Sequence, residues 1–198
     1  MERRAVGLQV IFCRMREGQY APNFKLYDHT GTMRSLYDFL RDGPVVLFFY
    51  PVASSPICTA QACHFRDLGS EFAAVGAQRV GISTDTVDRQ AHFALQRSFD
   101  FPLLSDVDGH VSEQFGVKRG AMSTMGANLS ERVAARRGRH FRQREKRRGR
   151  FIGRFLPVRR STFVIDTDAT VVKIVTSELR AATHANQALW FLQTRVTN

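Results

Sequence analysis

The chain has 198 residues, 43% of them hydrophobic and 24% charged, which is enough to bury one sizeable core with appendages but not two full domains. No apolar run approaches the roughly 18 residues of a membrane-crossing helix, and three cysteines are too few for a disulfide scaffold, which points to a reducing cytoplasm. The formal charge of +11 is localised: Lys118 to Arg160 holds 15 Lys or Arg against Glu131 and Glu145, a net of +13, leaving 11 − 13 = −2 for the remainder.

In chain order, residues 1–14 place two arginines before a short apolar stretch, as a signal peptide does, but no small-residue cleavage site follows. They read as a disordered N-terminal extension, or as sequence ahead of a start at Met15, with Cys13 outside the fold. The domain then runs over 15–198. Phe24–Leu26 followed by Asp28-His29-Thr30-Gly31-Thr32 predicts a short strand and hairpin. Ser35–Arg41 reads as a short helix stopped by Asp42-Gly43-Pro44.

Val45–Tyr50 (VVLFFY) has two hydrophobic faces and predicts a buried central strand. It stops at Pro51, and after a polar loop Phe65, Leu68, Phe72 and Val75 trace the apolar stripe of one amphipathic helix. Cys58 therefore falls where a strand ends and a helix begins. There the unpaired N–H groups and the positive end of the helix dipole favour a thiolate.

Gln78–Ser83 reads as the next strand, and Thr84–Asp88 caps a helix reaching about Arg97. This alternation argues for an α/β layered fold with parallel pairing in its middle. Phe101–Asp106 predicts a short strand and Gly109–Phe115 a short helix. From 120 to 155 the sequence is arginine-rich without apolar periodicity, and it reads as a surface insertion, disordered or loosely helical. Thr162–Asp166 and Val171–Val175 form a hairpin around Thr167-Asp168-Ala169. Ala185, Leu189, Leu192 and Val196 mark a closing helix, with Trp190 and Phe191 beside its apolar face.

Cys58 and Cys63, five apart on one helix, have Cα atoms about 8.6 Å apart by ideal geometry, beyond the ~7 Å limit for a disulfide. A bridge between them requires the first turns to unwind. The plainer reading makes both of them buried apolar cysteines. No zinc site is expected, since His64, His92, His140 and His184 lack ligand spacing. Taken singly, Pro51 ends a strand, Ser55 caps a turn and Arg160 belongs to the basic run.

Pro51, Ser55 and Cys58 fit P-x3-[TS]-x2-C, which resembles the active-site signature of peroxiredoxins. Arg160 in RSTFVID resembles the arginine that family sets beside its cysteine. The longer text FFYPVASSPICTAQACHFRD, with GPVV, PLLSD, FGV and HANQAL in order, resembles the bacterioferritin comigratory protein (peroxiredoxin Q) subfamily over about 15–120 and 156–195. The resemblance implies a thioredoxin-like fold, a central mixed β-sheet flanked by helices, and no metal or organic cofactor.

It further implies that Cys58 is the peroxidatic and Cys63 the resolving cysteine of an intramolecular pair in a monomer or weak dimer. Ser55 would hydrogen-bond sulfur and peroxide, Pro51 would shield the pocket, and Arg160 would favour the thiolate. The implied substrates are hydrogen peroxide and organic hydroperoxides, with thioredoxin or a similar dithiol as reductant. Ile57 stands where the family commonly has glycine and Ser55 where threonine is more usual. A second reading makes the protein a redox-sensing or polyanion-binding module with little turnover, using the 120–155 insertion for weak contacts to RNA, DNA or an anionic surface.

Overall fold

The computed structural model describes residues 14–119 and 157–196. The expectations for residues 1–13, Cys13 included, and for the 120–155 insertion lie outside these residues. The described residues form one mixed seven-stranded sheet in the order β2-β1-β5-β4-β3-β6-β7. Its strands are β1 (Lys25–Asp28), β2 (Met33–Ser35), β3 (Val45–Phe49), β4 (Gln78–Ser83), β5 (Leu103–Ser105), β6 (Ser161–Ile165) and β7 (Val171–Thr176). The helices are α1 (Leu36–Leu40), α2 (Pro56–Asp67), α3 (Gly69–Ala74), α4 (Val87–Arg97), α5 (His110–Gln114) and α6 (Ala181–Val196).

Strand β3 sits at the centre for the reason its composition gives. Val45 to Tyr50 are all fully buried because the strand feeds two cores. Val45, Leu47 and Phe49 point into a cluster with Leu36, Phe115 and Phe163, while Val46, Phe48 and Tyr50 point into one with Phe65, Phe93 and Leu189. Parallel pairing of β3 with β4 and of β4 with β5 makes the middle of the sheet. On its other side β3 pairs antiparallel with β6, in the register Phe49 to Ser161. That register brings Arg160, the residue before Ser161, to the end of β3 where the chain turns toward Cys58.

The single amphipathic helix read from Phe65 to Val75 is instead two. α2 ends at Asp67, Leu68 leaves helical geometry at φ −93° and ψ 21°, and α3 begins at Gly69. Arg79 supplies the physical reason. Its Nη1 donates to the carbonyl of Phe65 at 2.9 Å and its Nη2 pairs with Asp100 at 2.8 Å. A side chain at Gly69 would collide with this guanidinium. The apolar stripe survives the break, with Phe65 and Phe72 fully buried.

The closing helix α6 buries Ala185, Ala188, Leu189 and Leu192 and leaves Trp190 64% exposed. It also buries His184, for which the sequence suggested no role. Its Nε2–H donates to the carbonyl of Ser177 at 2.8 Å, which leaves Nδ1 to accept from the Thr162 hydroxyl at 2.9 Å. Burial pushes this imidazole down to about 4, with the nearby Arg160 adding to the effect and the Ser177 bond opposing it.

In the unfolded chain the same group titrates near 6.5. The unfolded state therefore binds the proton first, and the stability contributed by neutral His184 is complete above about pH 6.5 and lost as pH falls toward about 4. The loss should be on the order of 3 kcal/mol in total. His184→Asn should flatten this part of the profile, as read by urea denaturation at stepped pH. A variant as acid-sensitive as the parent would exclude His184 as the source.

Candidate active site

The site is assembled from the ends of three elements. Tyr50 continues β3 by one backbone bond, donating to the Ile82 carbonyl at 3.0 Å. Pro51, buried and without an N–H, ends the ladder there. The following loop is pinned where the Ala53 N–H donates to Asp85 Oδ2 at 2.6 Å. Ser54 adopts φ 65°, a left-handed conformation uncommon outside glycine. Ser55 then takes the N-cap position of α2, and Pro56 opens the helix with a φ already suited to it.

Cys58 occupies the third helical position and is 1% exposed. Arg160 is itself 3% exposed, and its Nη2 donates to Cys58 Sγ at 3.2 Å. Its Nη1 donates to Gln61 Oε1, and its Nε to the carbonyl of Glu178 at 3.3 Å. The neighbouring Arg159 is exposed, and its backbone N–H donates to the Val117 carbonyl at 2.8 Å. Of the two adjacent arginines, the fold turns inward Arg160, the one that the RSTFVID resemblance singled out.

Among the residues singled out from sequence, the structure therefore gathers Cys58 and Arg160 in direct contact. Pro51 and Ser55 lie in the loop that leads to Cys58. The Ser55 side chain makes no capping hydrogen bond, so its cap position is a backbone one. Cys63 sits further along the intact α2, half-buried against the core that contains Cys58, and both thiols are free. Among the described residues no group of three His, Cys, Asp or Glu side chains could hold a metal ion, and no helix is long and apolar enough to cross a membrane.

Gln61 escaped the sequence reading. It lies three residues after Cys58, on the same helix face, and that spacing is the signal that could have found it. Its side chain is fully buried, and because a guanidinium only donates, Oε1 must face Arg160. Its Nε2 is left with no hydrogen-bond partner among the described residues. Tyr50 is another buried polar group at this end of the sheet. Burial pushes its phenol well up, so it remains a neutral donor to Gln90 Oε1.

Three kinds of similarity bear on this arrangement. The AhpC/TSA family model matches residues 18–174. A peroxiredoxin-family protein of Mycobacterium tuberculosis is 48% identical over 175 residues, covering 88% of this chain and 94% of its own. Peroxiredoxin Bcp of Escherichia coli is 43% identical over 103 residues, covering 52% of this chain and 65% of its own. Among solved structures, peroxidoxin BcpB from Mycobacterium tuberculosis superposes with a TM-score of 0.72 at 46% identity, covering 91% of this chain and 98% of that one. Peroxiredoxin Q of Xanthomonas campestris gives 0.64 at 26% identity, covering 86% and 90%.

Replacing Gln61 by leucine keeps the volume but strands the Nη1 donor of Arg160. The reduced protein should lose about 1–3 kcal/mol in urea denaturation. An unchanged midpoint would mean that the guanidinium finds another acceptor.

Proposed function

The chain belongs to the AhpC/TSA family and is a peroxiredoxin, and from that premise we propose a thioredoxin-dependent thiol peroxidase that works through Cys58 and a Cys58–Cys63 disulfide. The observation that carries the proposal is the 3.2 Å contact between Arg160 Nη2 and the buried Cys58 sulfur. A fixed guanidinium against the nucleophile favours its anionic form, and it can also stabilise charge developing on the peroxide oxygens.

In the first step the Cys58 thiolate attacks the terminal peroxide oxygen. An S–O bond forms and the O–O bond breaks. The leaving oxygen takes a proton and departs as water or an alcohol, and Cys58 becomes a sulfenic acid. Pro51 keeps bulk water from the sulfur, and the Ser55 hydroxyl, free of any capping role, is available to the incoming peroxide. In the second step Cys63 attacks the sulfenic sulfur, an S–S bond forms and hydroxide leaves as water.

The second step cannot occur with α2 intact, because Cα atoms five residues apart on a helix stand about 8.6 Å from one another. The first turns must open. An external dithiol such as thioredoxin then reduces the disulfide by exchange. The resemblance to the peroxiredoxin Q group supports a monomer or weak dimer acting in the cytoplasm on hydrogen peroxide and organic hydroperoxides.

Two variants test this reading. In a thioredoxin-coupled assay Cys58→Ser should abolish turnover, and activity that survives would remove the central claim. After one equivalent of peroxide, mass spectrometry of the parent should show a Cys58–Cys63 bond, whereas Cys63→Ser should accumulate Cys58 sulfenic acid. A parent that also stops at the sulfenic acid would be a one-cysteine enzyme.

A further inference from the structure

A second polar network approaches the site from the side opposite Arg160. Asp85 is 6% exposed, and its Oδ2 accepts from the Ala53 N–H at 2.6 Å and from the Ser83 hydroxyl at 2.8 Å. Ser83, the last residue of β4, is itself fixed twice over. Its Oγ accepts from the Asp85 N–H at 3.1 Å and from Gln90 Nε2 at 2.9 Å. Gln90 also donates to the Leu104 carbonyl at 3.0 Å and accepts from the Tyr50 hydroxyl. Among the described residues the charged group paired with Asp85 is Arg89, with Nη1 at 3.3 Å from Oδ1 on a largely exposed side chain.

This network grips the chain at two points three residues apart, Tyr50 through its side chain and Ala53 through its backbone. The residue after the second point is Ser54, in the left-handed conformation. A non-glycine residue stays there only where its surroundings over-determine it. A short bond from a buried carboxylate to a backbone N–H is charge-assisted and roughly twice as strong as a neutral one. The bend at Ser54 in turn sets where Ser55 and the start of α2 lie relative to Cys58.

We propose that Asp85 is a positioning residue for the peroxide-facing loop, its carboxylate holding Pro51–Ser55 in the conformation that presents Ser55 beside Cys58. The proposal rests on the peroxidase reading above. Asp85 does not touch the sulfur. It acts through the backbone of Ala53, so its removal should impair the reaction with peroxide more than the intrinsic reactivity of Cys58.

The test uses the full chain with Cys13 and Cys63 replaced by serine, carrying either Asp85→Ala or Asp85→Asn. Three quantities are read: oxidation of Cys58 by hydrogen peroxide, alkylation of Cys58 by iodoacetamide, and amide hydrogen exchange across residues 51–57. Oxidation should fall roughly 10- to 100-fold in Asp85→Ala, the range expected when a reacting group is misplaced by about 1 Å. Asp85→Asn, which keeps an acceptor but not the charge, should fall less, and alkylation should change little in either. The Ala53, Ser54 and Ser55 amides should exchange faster. Oxidation and alkylation falling together, or exchange that does not change, would overturn the assignment. If the parent Cys58 does not react with peroxide, the peroxidase reading fails, and the exchange data still decide whether Asp85 holds the loop.

Discussion

The described structure turns on a buried guanidinium. Removing an arginine from water costs several kcal/mol unless its donors are met, and Arg160 meets them with a sulfur, a side-chain amide oxygen and a backbone carbonyl. Among the described residues no carboxylate pairs with it. The acid nearest in sequence to those contacts, Glu178, gives its side chain to Arg119. The Cys58 sulfur is therefore the one partner in the set that can carry a full negative charge, and each of the two groups helps the other remain buried.

That mutual dependence bears on how α2 could open. The far end of the helix is held tightly: Phe65 stacks on Phe48 with centroids 4.2 Å apart, its carbonyl accepts from Arg79, and His64 Nε2 meets Asn186 Oδ1 at 2.7 Å. The near end relies on the Pro51–Ser55 loop and on Arg160. Because Gln61 lies between the two cysteines, unwinding through Cys58 withdraws two of the three acceptors from Arg160 together. Any opening of the first turns would therefore place its cost on that one side chain.

Much of the fold was legible because burial imposes period and composition. The six apolar residues of Val45–Tyr50, rich in β-branched and aromatic types, read as a strand with two covered faces, and the position of Cys58 followed from what came next. The break at Leu68 was not legible, since it depends on Arg79 reaching across from another strand. For the site, the motif spacing singled out Cys58 and its loop and the RSTFVID text singled out Arg160, but the direction of either adjacent arginine is not written in the sequence. Only the β3–β6 register decides that Arg160 faces inward. His184 and Asp85 were missed for a related reason: each matters through a partner remote in the chain, and no local pattern marks it. Gln61 carried a single local signal, its spacing of three from Cys58 on one helix.

A separate bridge explains how the chain accommodates a long segment before Arg160. Lys118 and Val158 form an antiparallel bridge, flanked by bonds from the Arg119 N–H to the Pro157 carbonyl at 2.9 Å and from the Arg159 N–H to the Val117 carbonyl at 2.8 Å. The two ends of the 120–156 stretch are thus tied together by the described backbone. Closure entropy rises only logarithmically with the length between such ends, so added residues there weigh little on the fold. Arg119 also pairs with Glu178, whose carbonyl accepts from Arg160 Nε. The residue that ends the described chain before the stretch is thus linked through Glu178 to the guanidinium that contacts Cys58.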